Sequence, residues 1–193
     1  MNMIDVDLPR RRPNLLAMEP NVAQHLDFIF GRRSTREFAP GDVDDESVTL
    51  LLKAAMAAPS AVAKDPWRFV VIRSAQTRNA IADALPHGQM LRQAPLGMAV
   101  CGDLDAVHDH QLSYLLQDCS AATENLLLAA HILGLGACWL AVHPREERMR
   151  RVKDILQLPP AVLPVTCIAI GHPGEQKEPR TRFNPSYVHQ EKW

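Results

Sequence analysis

The stretch Ala121–Leu133, AATENLLLAAHIL, is apolar on almost every side of a helix and constrains this chain more than any other segment. A helix that is hydrophobic all round cannot lie on a surface; it must be covered by more than one layer, in a deep core or against another subunit. The pattern extends back to about His110. Leu112, Leu115, Leu116 and Cys119 there share one side, so the first half is amphipathic and the second half enclosed. Gly134 and Gly136 end the helix.

Around this element the chain alternates shorter helices and strands. Val22, Leu26, Ile29 and Phe30 mark a helix that stops at Gly31. Asp44 or Asp45 caps a second helix from about Glu46 to Ala58, with Val48, Leu51, Leu52, Ala55 and Met56 inward and Pro59 as its stop. WRFVVI (Trp67–Ile72) reads as a strand, Gln76 to Leu85 as a helix, and Leu96 to Cys101 as a buried strand. After the long helix come a strand at Ala137–Val142, a helix opened by Pro144 and running to Leu156, and a strand at Val165–Ile170. The order predicts an α+β domain of four or five strands against several helices, spanning residues 21–193. Residues 1–20, broken by Pro9, Pro13 and Pro20 and charged by Arg10–Arg12, read as an irregular N-terminal arm. Residues 172–193 are rich in proline and charge and carry no core pattern, so they either stay disordered or wrap another surface.

Charge narrows the function. The net charge is -1, so no global field recruits nucleic acid or an anionic membrane, and an anion site must come from local clustering. Cys101, Cys119, Cys138 and Cys167 are far apart and each lies in an apolar stretch, as buried thiols of a reducing compartment do. No membrane-length apolar run or signal-peptide pattern is evident, and the cytoplasm is the expected location.

Two clusters of basic residues stand out. Arg32, Arg33, Ser34 and Arg36 follow a helix end, and guanidinium groups with a hydroxyl are a common means of holding a phosphate. Alone, this run reads as a solvated basic turn rather than a binding site. Lys177, Arg180 and Arg182 lie in the coreless tail, and convergence of both clusters on one phosphate accounts for each. The loop Pro59-Ser60-Ala61-Val62-Ala63-Lys64-Asp65-Pro66 is rigid and small enough for its backbone to approach a planar ligand, or is only a tight connection anchored by Trp67. Gly134-Leu135-Gly136 starts like a dinucleotide fingerprint, yet it lacks the third glycine and runs from helix to strand. No nucleoside-triphosphate loop, metal-binding histidine pair or nucleophilic triad is present in the motifs. His131, on the enclosed helix, reads as a hydrogen-bonded core histidine, and His143 follows a strand end, where ligands tend to bind.

In RRSTREF (Arg32–Phe38), APSAVAKDPWRFVV (Ala58–Val71), DCSAATENLLLAAHILGLGACWL (Asp118–Leu140) and GHPGEQKEPRTRF (Gly171–Phe183), the chain resembles the nitroreductase family over residues 22–193. The resemblance implies an α+β fold with a mixed, mainly antiparallel sheet flanked by helices. It also implies an intertwined homodimer with two FMN sites at its interface and a wrapping C-terminal arm from about residue 172. By motif position, Arg32, Arg33, Ser34 and Arg36 are expected to contact phosphate, ribityl chain and ring, with Arg180 and Arg182 closing on the phosphate. Pro59, Ser60, Ala61 and Ala63 are expected from the partner subunit, and Leu140, Ala141, Val142 and His143 against the isoalloxazine, with a backbone N–H near N5. The sequence departs from the family where Ala63 and Asp65 replace the usual Asn and Gln. That loses one amide and sets a carboxylate near a ring that becomes anionic on reduction.

The implied activity is ping-pong transfer of reducing equivalents from NADH or NADPH, through FMN, to a nitroaromatic, quinone or similar small acceptor. No side-chain nucleophile is needed, and none is evident. A reductive dehalogenase-like or other flavin enzyme on the same scaffold is the alternative, with specificity set by residues 86–93 and 103–112. A non-catalytic FMN-binding module is another.

Overall fold

A computed structural model describes the backbone of residues 20–193, with side chains from residue 26 onward. The N-terminal arm expected over residues 1–20 lies outside the described residues, except for Pro20, which opens α1 (Pro20–Gly31). Next come α2 (Asp45–Met56), β1 (Trp67–Ile72), α3 (Ala75–Ala84), the single-turn α4 (Met90–Gln93) and β2 (Leu96–Asp103). The long α5 (Leu112–Ile132), β3 (Gly136–Ala141), α6 (Glu146–Leu156) and β4 (Val162–Gly171) complete the described order of helices and strands.

The sheet has the order β1-β2-β4-β3, and every neighbouring pair is antiparallel. The expected mixed sheet is therefore wholly antiparallel in its four strands; the one parallel element among the described residues is the bridge from Ser34 to Ala137 on the β3 edge. β2 and β4 are central and apolar on both faces. Met98, Val100, Ile168 and Ile170 face α5 and α2, while Ala99, Cys101, Cys167 and Ala169 face α3 and α6. This two-sided burial explains why their sequences read as continuous hydrophobic runs.

Only one side of the second half of α5 is dry within one chain, and Ile132 on the other side is exposed. Ala122, Leu126, Leu127 and Ala130 are buried with Leu51 and Ala55 of α2 and the inner sheet face. Gly102 admits α5 closely, because a Cβ there would collide with Leu115. Asp44 caps α2 by accepting from the Ser47 amide at 2.7 Å, and that bond holds its carboxyl below the ordinary range.

Some local expectations are corrected. Met56 and Ile29 point outward, because α2 and α1 each bury a narrower stripe than their apolar content suggests. Pro144 does not open α6; Arg145, with extended backbone at its N-terminal cap, intervenes before Glu146. His108–His110 forms a separate 3-10 turn with Asp109 and His110 at positive φ, so α5 begins at Leu112. The tail is not free over its first part. Residues 172–180 run antiparallel to residues 30–39, through Ala39 N to His172 O (2.9 Å), Gly174 N to Glu37 O (2.8 Å) and Arg180 N to Phe30 O (3.2 Å).

No described helix is long and apolar enough to cross a membrane. All four cysteines are free and buried, and burial pushes the Cys101 and Cys119 thiols up to about 12. Leu126 is fully buried on the α5 seam. Leu126→Ala is expected to cost about 3 kcal/mol of stability, read as a lower denaturation midpoint at unchanged m-value.

Candidate functional site

The Arg run reaches the sheet through one close approach. Thr35 N donates to Ala137 O at 3.0 Å, and the buried Thr35 side chain lies over Gly136, where a Cβ would meet its Cγ2 at 2.6 Å. Glycine at 136 is therefore required by contact rather than by φ. This docking fixes the alternation along β3. Ala137 O points away from β4, so the N–H groups of Trp139 and Ala141 point outward as well, while Leu140 O faces β4 and accepts from the Thr166 hydroxyl at 2.8 Å. β3 thus presents outward-directed backbone donors along its free edge.

The run and the tail are locked by charge. Glu175 accepts from Arg36 N at 2.7 Å and from Lys177 Nζ at 2.7 Å, and Lys177 also donates to Ser34 O at 2.8 Å. The Lys177 ammonium, followed by the Arg36 amide, holds the Glu175 carboxyl below its ordinary value. Arg33 donates to the Glu178 carbonyl, and Arg32 pairs with Glu124 of α5 at 3.4 Å. Among the described residues, no carboxylate pairs with the Arg36 guanidinium. Cys138 lies at the centre of this field: burial raises its thiol, against Arg36, Lys177, the Ser34 hydroxyl and Arg32, which pull it down.

Two cavities flank the run. The larger, about 760 Å³, is lined by Arg36, Glu37, residues 85–87, Gln89, Met90, Gln93, Cys138–Ala141 and Arg148. The smaller, about 240 Å³, is bounded by Gly31–Arg33, Thr35, His131, Gly136 and Lys177 among others. His131 is not the core histidine expected; its ring stands over Gly31, where a Cβ would meet Nε2 at 2.7 Å, on the wall of the cation-lined cavity.

The sequence-predicted residues fall into groups. Arg32, Arg33, Ser34, Arg36 and Lys177 gather at the start of β3, and Arg180 reaches them through its backbone bond to Phe30. Arg182 lies two residues further along the exposed tail, with no bond to the run. Leu140 and Val142 bury their side chains in the α3/α6 core, so any ring here would meet backbone and Ala141 rather than those side chains. His143 and Val142 both donate their amides to Val165 O.

Pro59, Ser60, Ala61 and Ala63 are not with the Arg run. Their loop leads into the Trp67 end of β1, which pairs with Gly102, whereas the run docks at the Gly136 end of β3, which pairs with Gly171. These are diagonally opposite corners of the sheet, separated sideways by three strand spacings, or roughly 14 Å. The loop has its own architecture. Val62, Ala63 and Asp65 all take positive φ, at about 1 kcal/mol each. Ser60 Oγ donates to Asp65 Oδ1 at 2.5 Å and accepts from Asp65 N at 3.0 Å, so Asp65 braces the loop. Ala61 N donates to the buried Asp118 of α5 at 2.9 Å. Glu175, Glu124, Asp118 and Arg148 carry much of this construction, and none has a sequence signal beyond its charge. No group of three metal-ligating side chains occurs among the described residues.

The nitroreductase family model matches residues 29–88 and 83–172. A protein of Archaeoglobus fulgidus provisionally named NADH dehydrogenase/NAD(P)H nitroreductase is 41% identical over 171 residues, covering 87% of this chain and 98% of its own. A Bacteroides thetaiotaomicron structure with the same provisional name superposes with a TM-score of 0.83 at 38% identity, covering 88% of this chain and 98% of that one. A Desulfovibrio desulfuricans protein provisionally named nitroreductase, solved in complex with FMN, has a TM-score of 0.75 at 33% identity, covering 91% of this chain and 99% of that one.

Because Glu175 has a depressed pKa, its contribution to the tail lock is present at neutral pH and is lost as pH falls from 4.5 through its folded value. Glu175→Gln is expected to speed proteolysis within residues 174–180 at pH 7 relative to the parent. Equal cleavage rates would mean that the carboxylate does not hold the tail.

Proposed function

The chain belongs to the nitroreductase family, and on that premise we propose that it is an oxidoreductase using FMN to move reducing equivalents from NADH or NADPH to a nitroaromatic, quinone or similar small acceptor. The observation that carries this reading is the outward-facing donor edge of β3 opening, beside Arg36, into the 760 Å³ cavity. A planar, hydrogen-bonding ring needs such a wall. The donor set also fits a flavin phosphate, with Arg32, Arg33, Ser34 and Lys177 clustered at the root of the same strand.

FMN, when bound, supplies the hydride-accepting and hydride-donating chemistry. The chain's residues do the rest. Arg32, Arg33 and Ser34 hold the phosphate and ribityl chain, joined by Arg180 and Arg182 of the tail. Trp139 and Ala141 offer backbone N–H groups that orient a ring edge. Arg36, with its guanidinium free of a carboxylate, places positive charge where reduction adds negative charge. Leu85, Pro86, His87, Gln89, Met90 and Gln93 form one wall of the cavity, and donor and acceptor take turns in that same space, as ping-pong kinetics require.

We further read the working unit as a homodimer. The corner-to-corner separation of the Pro59–Ala63 loop from the Arg run favours that assembly, because only a second chain can bring the two together. Asp118, which pins Ala61, then sets the shape the loop presents to the neighbouring site.

The test is the visible spectrum of the FMN-loaded protein under anaerobic conditions. Flavin absorbance is expected to bleach with NADH or NADPH and return on adding menadione or a nitroaromatic. A spectrum unmoved by both donors would overturn the reductase reading. Arg36→Gln is expected to weaken FMN binding by about tenfold, or to lower the flavin potential. If both are unchanged, Arg36 has no role at the ring.

A further inference from the structure

We propose that the outer end of the ring cavity is a binding site for an anionic group, a phosphate or carboxylate, held by Arg145, the residue before α6, and by Arg148 and Arg151 of that helix. The inference rests on the reductase reading above, since the anion belongs to a ligand whose other end enters that cavity. A hollow of about 410 Å³ adjoins the ring cavity, sharing Pro86 and Arg148 with it and adding Arg145 and Arg151. Arg148 and Arg151 are three apart on α6 and so are neighbours on its surface, and Arg145 stands at the cap where the helix begins.

Their charges are uncommitted. Among the described residues, none of the three makes an ion pair, although Arg92 and Arg150 nearby pair with Asp83 and Asp154. Asp83, which also lines the hollow, is thereby occupied. Glu146 and Glu147 share the wall, but they stand in the first turn of α6, where the helix dipole accommodates negative side chains. Arg148 donates to Ala141 O at 3.4 Å, which sets its guanidinium at the end of the strand that forms the ring wall. A guanidinium fork in this position suits an oxyanion trailing from a ring-bound ligand.

Two ligands carry that chemistry: the donor, through dinucleotide phosphates, and an acceptor bearing a carboxylate. Calorimetry on the FMN-loaded protein separates them, using 2′,5′-ADP and 4-nitrobenzoate as probes. The variants are the Arg145→Gln/Arg151→Gln pair, each single change, and Arg150→Gln as a control on the same helix. Affinity for one probe is expected to fall by about tenfold in the double variant and to hold in the control. Loss confined to 2′,5′-ADP, with the KM for NADPH rising more than that for NADH, assigns the site to the donor. Loss confined to 4-nitrobenzoate, with its methyl ester unaffected in turnover, assigns it to the acceptor. Absence of binding by the parent protein, or equal affinities in all variants, would overturn the proposal. Failure of the reductase reading would appear separately, as a flavin that neither donor bleaches.

Discussion

The structure depends first on keeping α5 dry. Its second half offers almost no polar side; the sheet covers one flank and α2 another, while Ile132 remains exposed. That requirement places β2 and β4 at the centre, where both sheet faces are apolar, and leaves β1 and β3 as edges. The Gly134-Leu135-Gly136 connection then turns the chain directly from the end of α5 into β3. The same helix that organises the core therefore delivers the edge strand on which the candidate site is built. Glu124, one of the few exposed residues on that half of α5, pairs with Arg32.

The site is made by docking rather than by any single motif. A strand edge without a neighbour is a row of unsatisfied donors and acceptors. Here the Arg run takes only the first position, through Thr35, and the remaining donors face a cavity. Several cations are brought within reach of one buried thiol, and most are given a partner: Arg32 has Glu124, Lys177 has Glu175 and Arg33 has a carbonyl. Arg36 is left as the uncompensated charge at the ring wall. The resulting field is local, which is how a protein of net charge -1 presents a cationic site.

Much of the fold was legible in sequence, because apolar periodicity reports burial directly. Trp67–Ile72 matches its strand end to end, and the Asp44 cap is where the helix signal places it. Met56 and Ile29 misled for a physical reason: periodicity shows which positions are apolar, but not how wide a stripe the neighbours cover. The clustering of Arg32, Arg33, Ser34, Arg36 and Lys177 was readable from composition against a neutral background. The roles of Glu175 and Asp65 were not, since an acidic residue in a loop looks the same whether it braces backbone or faces solvent. Asp65 closes its own loop through Ser60, a bond that its charge alone does not announce. The burial of Leu140 and Val142 likewise follows from sheet pairing and register, which sequence alone does not supply.

β4 occupies the middle of the sheet yet is the last strand along the chain, and the segment that locks the Arg run comes later still. During synthesis, β2 and β3 emerge from the ribosome with no strand between them to pair with. β4 adds Ile168 and Ile170 to the face that packs against α5. The sheet therefore closes only when β4 inserts between β2 and β3. A chain without β4 leaves β2 and β3 lacking their shared neighbour, and the apolar edges so exposed make such products targets for chaperones and proteases.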